Sequence, residues 1–263
     1  MAVPRLSSLP FQTTRPQNRT SNKLIFISCE GSVTEWEYFE KIINLSFVNI
    51  SSKVKVINVL EDVLKKRDKI RTKDEHALAS SSSPKNLLQN MDDYINLHKD
   101  EYNIDNHSED EFWLIMDIDD HTNASIIDDD GVSNLDKWNF VLSQCQEKKY
   151  QCAVSNPFFE LWLLIHFDDI NDDDRKFAVT DLHPYQPTNH FKERLRNLGV
   201  PLKDKHIRPE DFSKYNKNKI NDAISRAEAL DSKSKCDYPT DLGSTVYRLL
   251  KSIAEIDAQY EIN

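Results

Sequence analysis

Five acidic residues carry the chemistry this sequence offers most plainly. Glu30 closes the run KLIFISCE, and Asp117 and Asp119 close FWLIMDID. Glu35 follows Glu30 by five positions, and Glu160 interrupts the apolar string SNPFFELWLLIHF. Carboxylates at strand ends are hard oxygen ligands, suited to Mg2+ or Mn2+. Two such ions about 4 Å apart can stabilise both the attacking and the leaving oxygen of a phosphodiester under cleavage. In an extended D-x-D the residues at i and i+2 point the same way. Asp117 and Asp119 are therefore expected to converge on one ion, with Asp120 pointing elsewhere. Glu30 serves either as a ligand of that ion or as a general acid/base, its pKa raised by neighbouring carboxylates. Two roles stay open for Glu35, metal contact or service to a helix N-terminal dipole. Glu160 is a costly residue in an apolar helix unless it is paired or bound to metal, and both outcomes stay open.

The elements that must position these acids read as strands alternating with helices. Lys23 to Ser28 is a short apolar run bounded by polar residues, as in a strand covered on both faces. Gly31 suits a turn with positive φ or a close backbone approach. Thr34 and Glu37 have capping-box spacing, with Thr34 as N-cap. Trp36, Phe39, Ile42 and Ile43 then give one apolar helix face. VKVINVL at 54–60 reads as a second strand, 61–79 as helix-compatible, and 86–98 as a helix. The stretch 111–118 reads as the next strand, 134–149 as an amphipathic helix, and YQCAVS at 150–155 as a further strand. Asn156 as N-cap and Pro157 at the first helical position predict a buried helix immediately after it. This alternation predicts an α/β fold with a mostly parallel sheet. Acids at the carboxyl ends of such strands lie where open α/β sheets place ligands.

Composition bounds the rest. The chain has 263 residues, 38% hydrophobic and 30% charged, with a formal net charge of −10. That charge argues against bulk binding of nucleic acid through a basic surface, while metal-holding carboxylates add to the acidic count themselves. Only 4 glycines are present. GxxxxGK[ST] and GxGxxG are both absent, which excludes nucleotide binding by those loops and leaves any ATP-driven step to a partner. Cys29, Cys145, Cys152 and Cys236 lack metal or CxxC spacing and read as thiols of a reducing compartment. No signal-peptide pattern and no membrane-length apolar run is present, so the expectation is a soluble cytoplasmic protein. Residues 1–22, with three prolines, read as a flexible leader, 23–168 as the core, and 169–263 as a mainly helical extension.

The extension is richer in basic residues. Lys214, Tyr215 and Lys217 interleave cation and aromatic ring, a pattern suited to phosphate contact and base stacking. Lys217 is also a candidate for neutralising transition-state charge. His121 and Asp120 are candidates to support the acids before them, and His166 reads as a packed core histidine. The acidic runs 128–130 and 172–174 read as solvated loops.

Glu30-Gly31 after an apolar strand, with MDIDD later, resembles the TOPRIM domain of topoisomerases, primases and OLD-family nucleases. The longer strings CEGSVTEWEYF, FWLIMDIDDH and SNPFFELWLLIHF resemble the RloB family, including AbiLii-type proteins, with KYNKNK and PTDLGSTVYRLL fitting the family's tail more loosely. The resemblance implies a TOPRIM-like core and a Mg2+- or Mn2+-dependent nuclease acting in bacterial anti-phage abortive infection. Glu30 then stands as the TOPRIM glutamate, and Asp117 and Asp119 as the DxD pair. Glu35 departs from OLD-type motifs, which often place this acid four residues after the glutamate. The implied partners are a nucleic-acid substrate, DNA or tRNA, and an ABC/OLD-type ATPase encoded nearby, with homo-oligomerisation left open. The rival expectations are a non-catalytic regulatory subunit of an ATPase complex, and a nucleotidyl or phosphoryl transferase using the same metal site.

Overall fold

The computed structural model describes residues 23–31, 33–47, 54–56, 83–104, 107–180, 190–231 and 237–261. The leader at 1–22 and the helix expected at 61–79 lie outside them.

Four parallel strands form the sheet: β1 (Ile25–Cys29), β2 (Val54–Val56), β3 (Glu111–Asp117) and β4 (Gln151–Asn156). A two-residue strand, Gly243–Ser244, pairs antiparallel to the end of β4, giving the spatial order β2-β1-β3-β4 and then this edge. Successive side chains of a strand face opposite ways, and the core divides accordingly. Ile25, Ile27, Trp113, Ile115 and Ala153 belong to one buried cluster. Phe26, Leu114, Met116 and Val154 belong to another. Helices cover both clusters, so β1 and β3 read as continuous apolar runs rather than alternating apolar with polar. The result is a Rossmann-like α/β fold.

On the first face lies α1, one continuous helical run over 34–46 that widens into a π turn at Tyr38–Ile43. Phe39, Ile42 and Ile43 are fully buried there. The opposite face is covered by α2 (Pro84–Tyr102) and α3 (Asn134–Lys148). Ser83 and Ser133 cap these two helices by accepting from Asn86 N–H and Asp136 N–H.

After β4 comes the short helix α4 (Phe159–Leu164), whose Leu161, Trp162, Leu163 and Leu164 are wholly buried. The rest of the chain supplies α5 (Asp172–Thr180), α6 (His190–Asn197), a small hairpin of β5 (Leu202–Lys203) and β6 (His206–Ile207), α7 (Lys217–Asp231) and α8 (Val246–Glu261). Phe191, Ile220, Leu249 and Ile253 join the first-face cluster, so this region shares a core with the sheet. No helix among the described residues is long and apolar enough to cross a membrane.

Three local expectations give way to tertiary contacts. Thr34 and Glu37 form no capping box: Val33 is the N-cap residue and makes no side-chain cap bond. Thr34 Oγ1 instead donates to Lys205 O, and Glu37 accepts from Ile207 N–H at 2.8 Å and His206 Nδ1–H at 2.7 Å. Asn156 is no helix cap either. It ends β4, its peptide to Pro157 is cis, its amide donates to Pro239 O, and the helix starts at Phe159. Asp172–Asp174 open a helix rather than a solvated loop. Asp174 is fully buried, pairing with His190 at 2.7 Å and with Arg194.

Candidate metal centre

The chain leaves β1 toward β2 on one side, while β3 pairs on the other, so the topology reverses between β1 and β3. Open α/β sheets form their ligand crevice at the carboxyl ends of such a pair. Glu30 directly follows β1, and Asp117 is the last residue of β3. Register joins them. Glu30 N–H donates to Ile115 O at 2.9 Å, and Asp117 N–H donates to Glu30 Oε2 at 3.2 Å.

Glu35 turns inward from the first turn of α1 and is only 8% exposed. Its carboxylate packs over Gly31, where an added Cβ would overlap it. The glycine thus makes room for the inward-turned Glu35 carboxylate, with no left-handed backbone involved. Burial, then the fields of Glu160 and Glu30, push the Glu35 carboxyl up to about 7. Burial raises Asp117 well above the carboxylate range as well. Glu35, Glu160 and Glu30 add to that rise, and a hydrogen bond from Phe159 N–H opposes it. Glu160 is held by Lys192, Nζ to Oε1 3.1 Å, with 13% of its side chain exposed.

Asp119 sits differently. Its φ of 38° breaks the extended geometry in which i and i+2 would share a direction. Its N–H reaches Pro157 O at 3.2 Å. Burial raises its pKa, with Asp120 and Glu30 adding, but Glu35 and Glu160 are not among the causes. The extended D-x-D backbone on which the expected convergence of Asp117 and Asp119 rests is therefore not formed.

His121, a sequence candidate to support the acids before it, contacts the site through Glu30. Its Nε2–H donates to Glu30 Oε1 at 2.9 Å, and its ring lies parallel to Trp138 with centroids 6.0 Å apart. Burial alone would lower its pKa. The hydrogen bond to Glu30 and the fields of Glu30, Asp119 and Asp120 raise it on balance. Glu30 is thus gripped at both oxygens.

Carboxylates crowded together at a strand end are the donor chemistry of a hard divalent cation. Among the described residues, however, no three His, Cys, Asp or Glu side chains are arranged to hold a metal ion. Glu30, Glu35, Asp117 and Glu160 fit a metal in donor type, while an oxygen of Glu30 is taken by His121 and one of Glu160 by Lys192.

The remaining candidates fall elsewhere. Tyr215 is fully buried, packed edge-on against Phe167 at 4.8 Å and His166 at 5.2 Å, so it has no face for a base. Lys214 Nζ pairs with Asp211 at 2.7 Å and donates to Gly199 O at 2.8 Å. Lys217 Nζ pairs with Asp257 at 3.1 Å and lies 5.5 Å from the Phe47 ring centroid. Asp257 lies on α8 beyond Ser252, which bonds Glu111 at the start of β3, so Lys217 is at the sheet edge opposite the acids. His166 is a core residue as expected. It accepts from Tyr38 O–H at 2.9 Å and donates to Trp162 O at 2.8 Å, and burial lowers its pKa to about 3.

Fold and site together define an α/β protein with a carboxylate cluster at the topological switch point of its sheet. The family model for RloB-like protein matches residues 25–253, and the chain belongs to this family. No curated protein and no solved structure matches it.

Proposed function

We propose that this RloB-like chain is a Mg2+- or Mn2+-dependent nuclease of TOPRIM type, cleaving phosphodiester bonds in DNA or a structured RNA such as tRNA. The observation that carries this reading is the set of Glu30, Glu35, Asp117 and Glu160, collected from two strand ends and two helix starts into one repulsive cluster. A scaffold has no need of such a cluster, because each buried acid lowers the stability of the fold. A bound divalent ion would polarise the phosphate and supply an activated water at neutral pH. Glu30 and Asp117 would hold it, with Glu35 and Glu160 on the helix side. His121 orients Glu30 through its hydrogen bond, and its stacking on Trp138 fixes the ring that makes this bond. Asp119, which feels the charge of Glu30, would hold a proton or a water at its edge.

A role as effector of an anti-phage abortive-infection system, controlled by a partner ATPase, agrees with family membership and with the lack of nucleotide-binding loops. A second reading, a non-catalytic subunit of an ATPase complex, is favoured by one observation: no donor trio among the described residues is already arranged for a metal. One experiment separates the two. Purified chain is incubated with phage DNA and with bulk tRNA, with Mg2+, Mn2+ or EDTA, with and without the neighbouring ATPase. Metal-dependent cleavage that Glu30→Gln and Asp117→Asn abolish supports the nuclease. Cleavage that is absent in every condition, or that survives both substitutions, supports the scaffold.

A further inference from the structure

The hairpin β5–β6 pairs Leu202 with Ile207 and Lys203 with His206, leaving Asp204 and Lys205 as its two-residue turn. Both turn residues are left-handed, with φ of 51° and 69°. Two positive φ angles in a two-residue loop are the signature of a type I′ turn, which favours Asn or Gly, Gly above all at the second position. A lysine there is strained, and strain of this kind concentrates at working sites. The tip is also firmly docked. Thr34 Oγ1 bonds Lys205 O, and Glu37 binds the next two residues through His206 Nδ1–H and Ile207 N–H. Thr34 is the immediate neighbour of Glu35, so the docking brings a cation to the rim of the carboxylate cluster. Its charge acts on Glu35.

Two lysines thus flank the acids, and they differ. Lys192 is engaged with Glu160. Lys205 is exposed, and its ammonium makes no ion pair with a described residue. We infer that Lys205 receives a phosphate oxygen of the nucleic-acid strand lying across the Glu30–Asp117 site, in the position that sequence patterning gave to Lys217. The inference rests on the nuclease reading for its ligand. A fixed cation beside metal-binding acids draws the phosphate in and aligns it, while the bulk of this acidic surface repels it.

Replacement by glycine provides the test, because glycine is the better residue for the turn. Lys205→Gly, Lys205→Arg and wild type are compared for binding of fluorescein-labelled tRNA and single-stranded DNA oligonucleotide, with Ca2+ in place of Mg2+. Lys205→Gly should weaken binding of the preferred probe roughly tenfold, the effect of one charge-assisted hydrogen bond. It should also lower the slope of log affinity against log salt by about one. Its thermal midpoint should be no lower than wild type, and Lys205→Arg should bind as wild type does. Unchanged affinity in Lys205→Gly overturns the inference. So does a lowered midpoint with unchanged affinity, which would make Lys205 a structural counter-charge to Glu35. Wild type that binds neither probe overturns it too. Wild type that binds through Lys205 but never cleaves with Mg2+ or Mn2+ sinks the nuclease reading alone.

Discussion

Glu35→Gln should stabilise the metal-free chain, and the size of the gain should depend on pH. The Glu35 carboxyl is 8% exposed and raised from 4.5 to about 7, chiefly by burial. Between these values the folded chain holds a proton that the unfolded chain has released. Stability from this group is therefore full below pH 4.5 and falls as pH rises through 7, where the folded state also ionises. The whole displacement amounts to about 3 kcal/mol against the ionised form. Glutamine keeps the shape, carries no charge and can donate to neighbouring carboxylates. Its advantage should be about 1 kcal/mol or less at pH 5 and approach about 3 kcal/mol at pH 8. Thermal or denaturant unfolding in EDTA reads this directly, at roughly 2–4 °C of midpoint per kcal/mol for a chain of this size. Millimolar Mg2+ or Mn2+ at pH 8 should stabilise wild type and close most of the gap. The reasoning fails if the variant is no more stable at pH 8, or if its gain is the same at both pH values.

Three further outcomes follow from the same geometry. Gly31→Ala should leave the turn folded but swing the Glu35 carboxylate outward; in that background the pH 8 gain of Glu35→Gln should shrink below about 1 kcal/mol, a non-additivity read by a double-mutant cycle. His166, neutral and lowered from 6.5 to about 3, contributes stability that is complete above pH 6.5 and lost as pH falls toward 3; His166→Phe should remove about one proton, or about 1.4 kcal/mol per pH unit, from the slope of stability between pH 6 and 4. Tyr215→Phe removes a buried hydroxyl that has no hydrogen-bond partner among the described residues and should raise stability by about 1 kcal/mol in urea unfolding, with oligonucleotide affinity unchanged.

What could be read from sequence follows how local each cause is. The strands ending in Glu30 and Asp117 announced themselves because burial on both faces leaves an apolar run that stops abruptly at an acid. Thr34 and Glu37 misled because their spacing satisfies a local cap, while their bonds go to Lys205 and Ile207, 171 and 170 positions away along the chain. Asp119 misled because the strand ends at Asp117 and the backbone then turns left-handed. Tyr215 lies among lysines, which suggested a solvated binding loop, yet the ring is drawn into the aromatic group around His166. The grip of His121 on Glu30 depends on a tryptophan 17 residues later in the chain stacking on its ring. No periodicity records that.

The most direct test of the central claim is a Mn2+ titration of the purified chain at pH 7.5, followed by loss of the free-ion EPR signal. Wild type should take up Mn2+ saturably, and both Asp117→Asn and Glu30→Gln should weaken uptake by roughly tenfold or more, as loss of a charged ligand requires. Equal uptake by all three proteins, or none by wild type, would contradict a metal centre at the switch point of the sheet.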